Sequence, residues 1–370
     1  MSVAEGLGRD DLREAARAML QRESSSERVR AAADGDDGFD PRLWATMADQ
    51  GWPSLLVPEE HGGLGASLGH MGVLLHEMGR QVTASPLMVS AVLAVGALLL
   101  AGDENQQARW LPGLAAGKVI GTVACTGPSG RPTREAVAVR AQPSADGWRL
   151  GGQAAFVPDA HLAGLVVVIA VDHDSELHAF LLEPQGSGLA VTPTMPWDPT
   201  RRLCRIEVDA TLGDEACLRS RPDLLDRLVD LGAYGLACDS LGVAERVLEM
   251  TTAYGRERVQ FDRPIGSFQA WKHRCADLFI QVEASRAALR AATWALDHNA
   301  DDASARVSAA KFICGDGATL VAGDGVQLHG GIGYTWEHDM HLFQKRAKLN
   351  QALFGDSDYH RDRLAAAILP

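Results

Sequence analysis

The stretch WKHRCADLFIQVEASRAALRAATWAL, residues 271–296, decides the fold class. Trp271, Cys275, Leu278, Val282, Ser285, Leu289, Ala292 and Leu296 recur at alternating steps of four and three, which puts all of them on one stripe of an α-helix. A stripe of that length is the seam of a helix packed in a bundle. Further helices are expected over 303–328 and 342–354, with breaks at Arg263-Pro264 and at Gly330-Gly331-Ile332-Gly333. From about residue 220 onward, the chain therefore reads as helical.

Toward the N-terminus the pattern changes. Short runs, most of them rich in β-branched residues, at 119–124, 136–141, 148–150, 165–171, 178–182 and 205–208 are separated by turn residues such as Asp146-Gly147 and Gly186-Ser187-Gly188. Many short strands at regular spacing predict a small barrel or sandwich. Before them, residues 9–118 read as helices again. Leu12, Ala15, Ala16, Met19 and Leu20 share one face. Asp40-Pro41 supplies an N-cap and a first-turn proline for a helix that stops at Gly51. Helices are expected at 68–78, 87–100 and 105–114, whereas the glycine-rich stretch from Pro58 to Gly65 is expected to be a loop. The predicted order is a helical domain at 1–118, a β domain at 119–215 and a helical bundle at 216–370. No internal repeat is visible, and the acidic stretch Asp34-Gly35-Asp36-Asp37-Gly38 reads as a loop.

Composition narrows the function. The chain has 370 residues, 46% of them hydrophobic and 22% charged, an ordinary globular balance that excludes disordered and fibrous classes. A net charge of -13 argues against nucleic acid as a partner. The longest apolar run, Met88 to Ala101, is too short for a membrane span and reads as a buried core helix. The N-terminus lacks the apolar core of a signal peptide, so a cytoplasmic protein is expected. The six cysteines contain no Cys-x-x-Cys pair and read as small buried hydrophobes, neither a disulfide framework nor a zinc site. His338 and His341 are the only histidines at helical spacing and lack a nearby third ligand, so no metal is expected.

Four segments carry chemistry. Arg258-Val-Gln-Phe-Asp-Arg-Pro-Ile-Gly-Ser-Phe-Gln269 places an always-charged guanidinium before a turn, where it could grip a pyrophosphate, though an isolated Arg is more often a surface charge. Gln327-Leu-His-Gly-Gly-Ile-Gly-Tyr334 lets backbone approach a ligand closely, but has no preceding strand and so is no dinucleotide fingerprint. Val57 to Gly65 and Cys125-Thr126-Gly127-Pro128 could each be simple connections. Together, in this order, they resemble the acyl-CoA dehydrogenase family over essentially the full chain. The marks are Pro-Glu-Glu-x-Gly-Gly-x-Gly at Pro58 to Gly65, Arg-x-x-Phe-Gly-x-Pro-Ile-x-x-Phe-Gln from Arg258 with Asp262 in place of the glycine, and Gln-x-x-Gly-Gly-x-Gly-Tyr from Gln327.

The resemblance implies a mostly α fold with a central β-barrel: an N-terminal helical domain, the barrel, and a C-terminal four-helix bundle. It implies FAD bound between subunits and desaturation of an acyl-CoA thioester, a carboxylate taking the Cα proton while the Cβ hydride goes to the flavin. Arg258, Phe261, Gln327 and Gly331 match residues that hold the adenine and pyrophosphate of a neighbouring subunit's FAD. Gln260 and Gly330 lie beside them, and Thr126 and Phe156 fall at the flavin end.

The pattern fails at that end. The family carries Thr-Glu-Pro where Thr126-Gly127-Pro128 stands, and an aromatic residue followed by Ile-Thr or Ile-Ser where Phe156-Val157-Pro158 stands. Proline offers neither hydroxyl nor N–H. The catalytic Glu is replaced at its usual place, Phe354 or Gly355, and at its alternative place, about Gly232. The fallback carboxylates are Asp356, read as a cap or solvated residue, and Asp230, read as a solvated helix charge.

The run Tyr334 to His341 with Phe354-Gly355-Asp356 resembles actinobacterial members that assemble as two different dehydrogenase-like chains. Three readings follow: a subunit whose site a related partner completes in a heterotetramer, a self-sufficient homotetramer using Asp356 or another carboxylate, and a catalytically silent binding or structural subunit. The substrate implied is an acyl-CoA, with bulky thioesters including steroid side chains favoured, and the electron acceptor one such as an electron-transfer flavoprotein. Arg256, Arg258 and Arg263 would offset the acidic field toward CoA locally.

Overall fold

The computed structural model describes residues 8–186, 188–195 and 197–369; the signal-peptide reading of residues 1–7 and the turn residue Ser187 lie outside them. The chain forms two compact units, one from Ala32–Met71 and Ala84–Gly232, the other from Arg9–Ala31, Gly72–Thr83 and Ala233 onward. The N-terminal helices are α1 (Arg9–Glu23), α2 (Ser26–Asp34), α3 (Pro41–Asp49), α4 (Leu68–Arg80), α5 (Val95–Ala101) and α6 (Glu104–Ala115). α2 has no counterpart among the expected helices. It lies in a charge-rich stretch with few large apolar residues, and its buried side chains are only Val29 and Ala33.

In the first unit, Asp40 caps α3 as expected, its carboxylate accepting from the Arg42 and Leu43 amides at 2.9 and 3.2 Å. The stretch from Pro58 to Gly65 is irregular except for one turn of 3₁₀ helix at Glu59–His61. The apolar run opens as a wide π-helical turn, Met88–Ala94, buried throughout, before continuing as α5. No helix among the described residues is long and apolar enough to cross a membrane.

The same unit contains a seven-stranded sheet: β1 (Gly121–Ala124), β2 (Val139–Ser144), β3 (Gly147–Pro158), β4 (Leu165–Val171), β5 (Leu177–Leu182), β6 (Leu189–Pro193) and β7 (Leu203–Leu212). Its order is β1-β4-β2-β3-β7-β6, with β5 paired to β4. β4 is buried at every residue, which is why its sequence is continuously apolar rather than alternating. Leu150, Val166, Val168, Phe180 and Ile206 form the core of this curled sheet. The expected barrel is thus a sheet whose terminal strands β1 and β6 do not pair with each other among the described residues. β6 has no counterpart among the expected strands. None of its residues is fully buried, so hydrogen bonding to β7 rather than an apolar face defines it.

In the second unit the helices are α7 (Leu224–Glu257, in this unit from Ala233), α8 (Gln269–Asp297), α9 (Ala303–His329), α10 (Met340–Ala352) and α11 (Ser357–Ile368). The α8 seam is buried at Cys275, Leu278, Val282, Ser285, Leu289 and Ala292 as its spacing predicts, but its last contact is Ala295 rather than Leu296. A straight helix turns every 3.6 residues, so a strict 3.5 repeat drifts off the seam within a few turns. All six cysteines are free, five of them buried.

Candidate active site

The expected cofactor-binding residues fall into two groups, each built on its own unit. In the second unit, α7 ends at Glu257 and the chain turns back through a hairpin of β8 (Val259–Gln260) and β9 (Arg263–Pro264). Phe261 and Asp262 form its tip with φ of 53° and 60°, the two positive values of a type I′ turn. Asp stands where the family has Gly because Asp tolerates the left-handed region better than most residues. Phe261 is 86% exposed, although an aromatic ring of that size gains from burial. The Arg258 amide donates to the Tyr254 carbonyl at 2.9 Å, and its side chain is exposed. Arg263 lies 4.0 Å above the Phe268 ring and stiffens the base of the hairpin.

α9 delivers the other residues of this group. Gln327 is exposed at its last turn, and Gly330 follows with φ 63° and ψ −141°, a backbone region close to glycine-only. No atom lies within 4 Å of where a Cβ would sit on Gly330 or Gly331, so both present bare backbone to open space. Arg258, Gln260, Phe261, Gln327, Gly330 and Gly331 therefore all lie on solvent-facing segments of one unit. An exposed aromatic, an available guanidinium and open glycine backbone suit the adenine and pyrophosphate of FAD.

The flavin-end residues, in the first unit, do not suit the isoalloxazine in the same way. The Thr126 hydroxyl donates to the Ala155 carbonyl at 2.7 Å, so it is spent on joining the end of β1 to β3. Phe156 sits in a bulge of β3 with φ 56° and 43% exposure. A Cβ on Gly127 would lie 2.2 Å from the Ala136 carbonyl oxygen, which leaves no room there for the family's Glu. Pro158 is buried, and its carbonyl accepts from the Thr122 hydroxyl at 2.6 Å. The segment has been rebuilt around its own hydrogen bonds.

The turn where the base is expected is closed as well. Phe354 (φ 53°, 6% exposed) and Gly355 (φ 95°) link α10 to α11, and neither carries a titratable group. Asp356 is the N-cap of α11, its carboxylate accepting from the Tyr359 amide at 2.9 Å. Asp230 differs from its expected solvated state: it is 5% exposed, because its face of α7 is buried. Gly232, two residues on, is buried and carries no side chain.

Two residues at this turn were not singled out from the sequence. Lys311, 2% exposed, donates from Nζ to the Gln351 and Gly355 carbonyls at 3.1 and 2.9 Å. Burial pushes its ammonium down to about 7, against the opposing pull of Asp316 and Asp356. His360, fully buried, donates from Nε2 to the Phe354 carbonyl at 2.9 Å, while Nδ1 faces the Ser308 hydroxyl at 3.2 Å. Burial, reinforced by Lys311, pushes its imidazole down to about 3, so it is neutral at physiological pH. The available signal was Lys311 itself, a lone charge in the run Ala309-Ala310-Lys311-Phe312-Ile313.

Because the folded-state value for Lys311 lies below its unfolded value of 10.5, the unfolded chain binds more protons between about pH 7 and 10.5. Its contribution to stability therefore rises with pH across that window. The Lys311→Met variant is expected to lose this rise, seen as a flatter melting-temperature-versus-pH curve than wild type between pH 7 and 10.

Comparison with known proteins identifies the family. Residues 9–118 match the acyl-CoA dehydrogenase N-terminal domain and residues 225–369 the acyl-CoA dehydrogenase C-terminal domain. The acyl-CoA dehydrogenase IpdE2 of Mycolicibacterium smegmatis is 33% identical over 363 residues, covering 97% of this chain and 98% of that protein. The solved ChsE4-ChsE5 complex from Mycobacterium tuberculosis superposes with a TM-score of 0.91 at 31% identity, covering 98% of each chain. A point variant of the Tcur3481-Tcur3483 steroid ACAD gives 0.88 at 31% identity over 99% of this chain and 98% of that one. The chain belongs to the acyl-CoA dehydrogenase family. That family is FAD-dependent and acts on the CH–CH bond of acyl-CoA thioesters.

Proposed function

We propose that this chain is the non-base-carrying subunit of a two-chain acyl-CoA dehydrogenase. Arg258, Gln260, Phe261, Gln327, Gly330 and Gly331 would grip the adenine and pyrophosphate of an FAD whose flavin sits in a related partner chain, and the partner would supply the catalytic Glu. The observation that carries the reading is the contrast between the two groups: the trans-acting residues stand open to solvent, whereas the turn at Phe354-Gly355 holds no carboxylate and is tied shut by Lys311 and His360. Bound FAD supplies the hydride acceptor; this chain's own residues bind and orient it. The homotetrameric reading needs Asp356 or another carboxylate as base, and the Asp356 carboxylate is committed to the α11 N-terminus and would have to leave it to act as one.

The assembly we favour is a heterotetramer in the cytoplasm, passing electrons to an electron-transfer flavoprotein. The six free thiols fit a reducing compartment. Both solved relatives above are named as pairs of chains, one of them as a steroid enzyme, which supports a bulky acyl-CoA such as a steroid side-chain thioester. The domain division we adopt is 1–118, 119–215 and 216–370. Thr126 and Phe156 keep a structural place at the flavin end in this reading rather than direct contact with the ring. The test is the visible spectrum and native mass of the chain purified alone and after coexpression with a related dehydrogenase. A colourless chain alone and a yellow mixed complex are expected. A yellow, tetrameric chain reducible by acyl-CoA on its own would overturn the reading, and a colourless mixed complex would leave a silent binding subunit.

A further inference from the structure

The segment between α9 and α10, together with the helix ends that flank it, carries three imidazoles that the proposed chemistry does not use. His329, 3% exposed, closes α9, its Nδ1 2.7 Å from the Gly325 carbonyl. It stacks on Tyr254 of α7 with centroids 4.6 Å apart, and its other neighbour is His338 at 4.7 Å. His338 Nδ1 accepts from the Met340 amide at 3.2 Å, satisfying one of the donors at the start of α10. An imidazolium carries hydrogen on both nitrogens, so protonation would set N–H against N–H at that contact. His341 packs edge-on against Trp336 at 4.7 Å.

The charges facing these rings are mostly cationic. Arg30 of α2 donates to the Trp336 carbonyl and to the Asp339 carboxylate, both at 2.6 Å, and Ser26 donates to the same carboxylate at 2.6 Å. Lys345 of α10 lies 4.7 Å above the Trp336 ring. Among the described residues Asp339 is the one acid acting on His338 and His341, and it is already bonded to Arg30. Two further cations beside Arg30, Lys345 and the positive end of the α10 dipole would be poorly compensated.

We propose that residues 330–339 form an acid-sensitive latch, held in place while His329, His338 and His341 are neutral and released when they protonate. Burial comes first in lowering all three imidazoles below their ordinary value, with His338 adding to the effect at His329, Arg30 at His338, and Lys345 and Arg30 at His341. The unfolded or released loop therefore binds more protons than the closed one below pH 6.5, and closure weakens as pH falls through that range. The loop holds Gly330 and Gly331, and it displays Tyr334 at 73% and Trp336 at 72% exposure. Its consequence for FAD and the partner rests on the function proposed above; the latch itself does not.

The test has two arms. In the full chain alone, the fluorescence difference between wild type and Trp336→Phe isolates the ring beside His341, and limited proteolysis reports cleavage within 330–339. Both are expected to change as the pH falls from about 6.5 toward about 5. The double variant His338→Gln with His341→Gln, in which the new amide oxygen at position 338 can still accept from Met340, is expected to lose most of that change. In the coexpressed complex, FAD should be progressively lost over the same fall in pH, and the double variant should hold FAD across the range. A flat signal from the wild-type chain, or a double variant that titrates like wild type, overturns the latch. If the double variant does not fold, imidazole proton resonances of the wild-type chain decide the matter: values at or above 6.5 for His338 and His341 overturn it. Absence of any mixed complex at neutral pH would remove the proposed function and leave the first arm intact.

Discussion

Reinstating a carboxylate by Gly355→Glu is expected to destabilise the chain by about 3 kcal/mol or more and to yield no dehydrogenase activity from the chain alone. Gly355 has φ 95°, and a Cβ there would lie 2.3 Å from Cδ1 of Tyr359 and 2.8 Å from Nε2 of His360. The backbone must change region or the α11 side chains must move, and the new carboxylate then enters a site already occupied by the Lys311 and His360 hydrogen bonds. At about 1.3 °C per kcal/mol for a chain of 370 residues, the melting temperature should fall by about 4 °C or more. Calorimetry and an acyl-CoA turnover assay check both halves. A stable variant with substantial turnover and no partner would contradict both the closed turn and the two-chain reading.

The second large effect is expected at a buried ion pair between α7 and α10. Arg346 and Asp239 are 1% and 3% exposed at their side chains and meet at 3.0 Å. Arg346 also donates to the Val82 and Thr83 carbonyls at 3.2 and 3.1 Å, and Asn350 donates to Asp239 at 2.6 Å. Asp239→Leu takes from the buried Arg346 guanidinium the carboxylate that meets it, so it should cost about 3–5 kcal/mol. Replacing both partners with apolar residues, Asp239→Leu with Arg346→Met, should recover part of that loss. Denaturant midpoints for the two variants measure the difference; equal midpoints would mean that the pair is not the source of the cost.

Much of the fold was legible because it repeats locally. The α8 seam predicted its buried face from Cys275 to Ala292, Asp40 and Pro41 predicted the start of α3, and the unbroken apolar run 165–171 predicted β4 to the residue. These features arise from side-chain period, capping and β-branching, which act over a few residues. β6 and α2 escaped notice because neither has a strong apolar face: β6 exists through its pairing with β7, and α2 buries few large side chains.

The candidate site divides in the same way. The sequence by itself determined the family motifs, the residues we propose to hold FAD, and the lack of Glu at Phe354, Gly355 and Gly232, because these are matters of residue identity and spacing. Only the tertiary structure decided the use to which each group is put. It showed that Thr126 spends its hydroxyl on Ala155, that Asp356 is a helix cap, and that Asp230 is buried rather than solvated. It also brought Lys311 from α9 and His360 from α11 onto the two carbonyls of the base turn. Those contacts join residues 44 and 6 positions apart, and the first of them no local pattern could show, since burial and partner choice are set by which helices pack together.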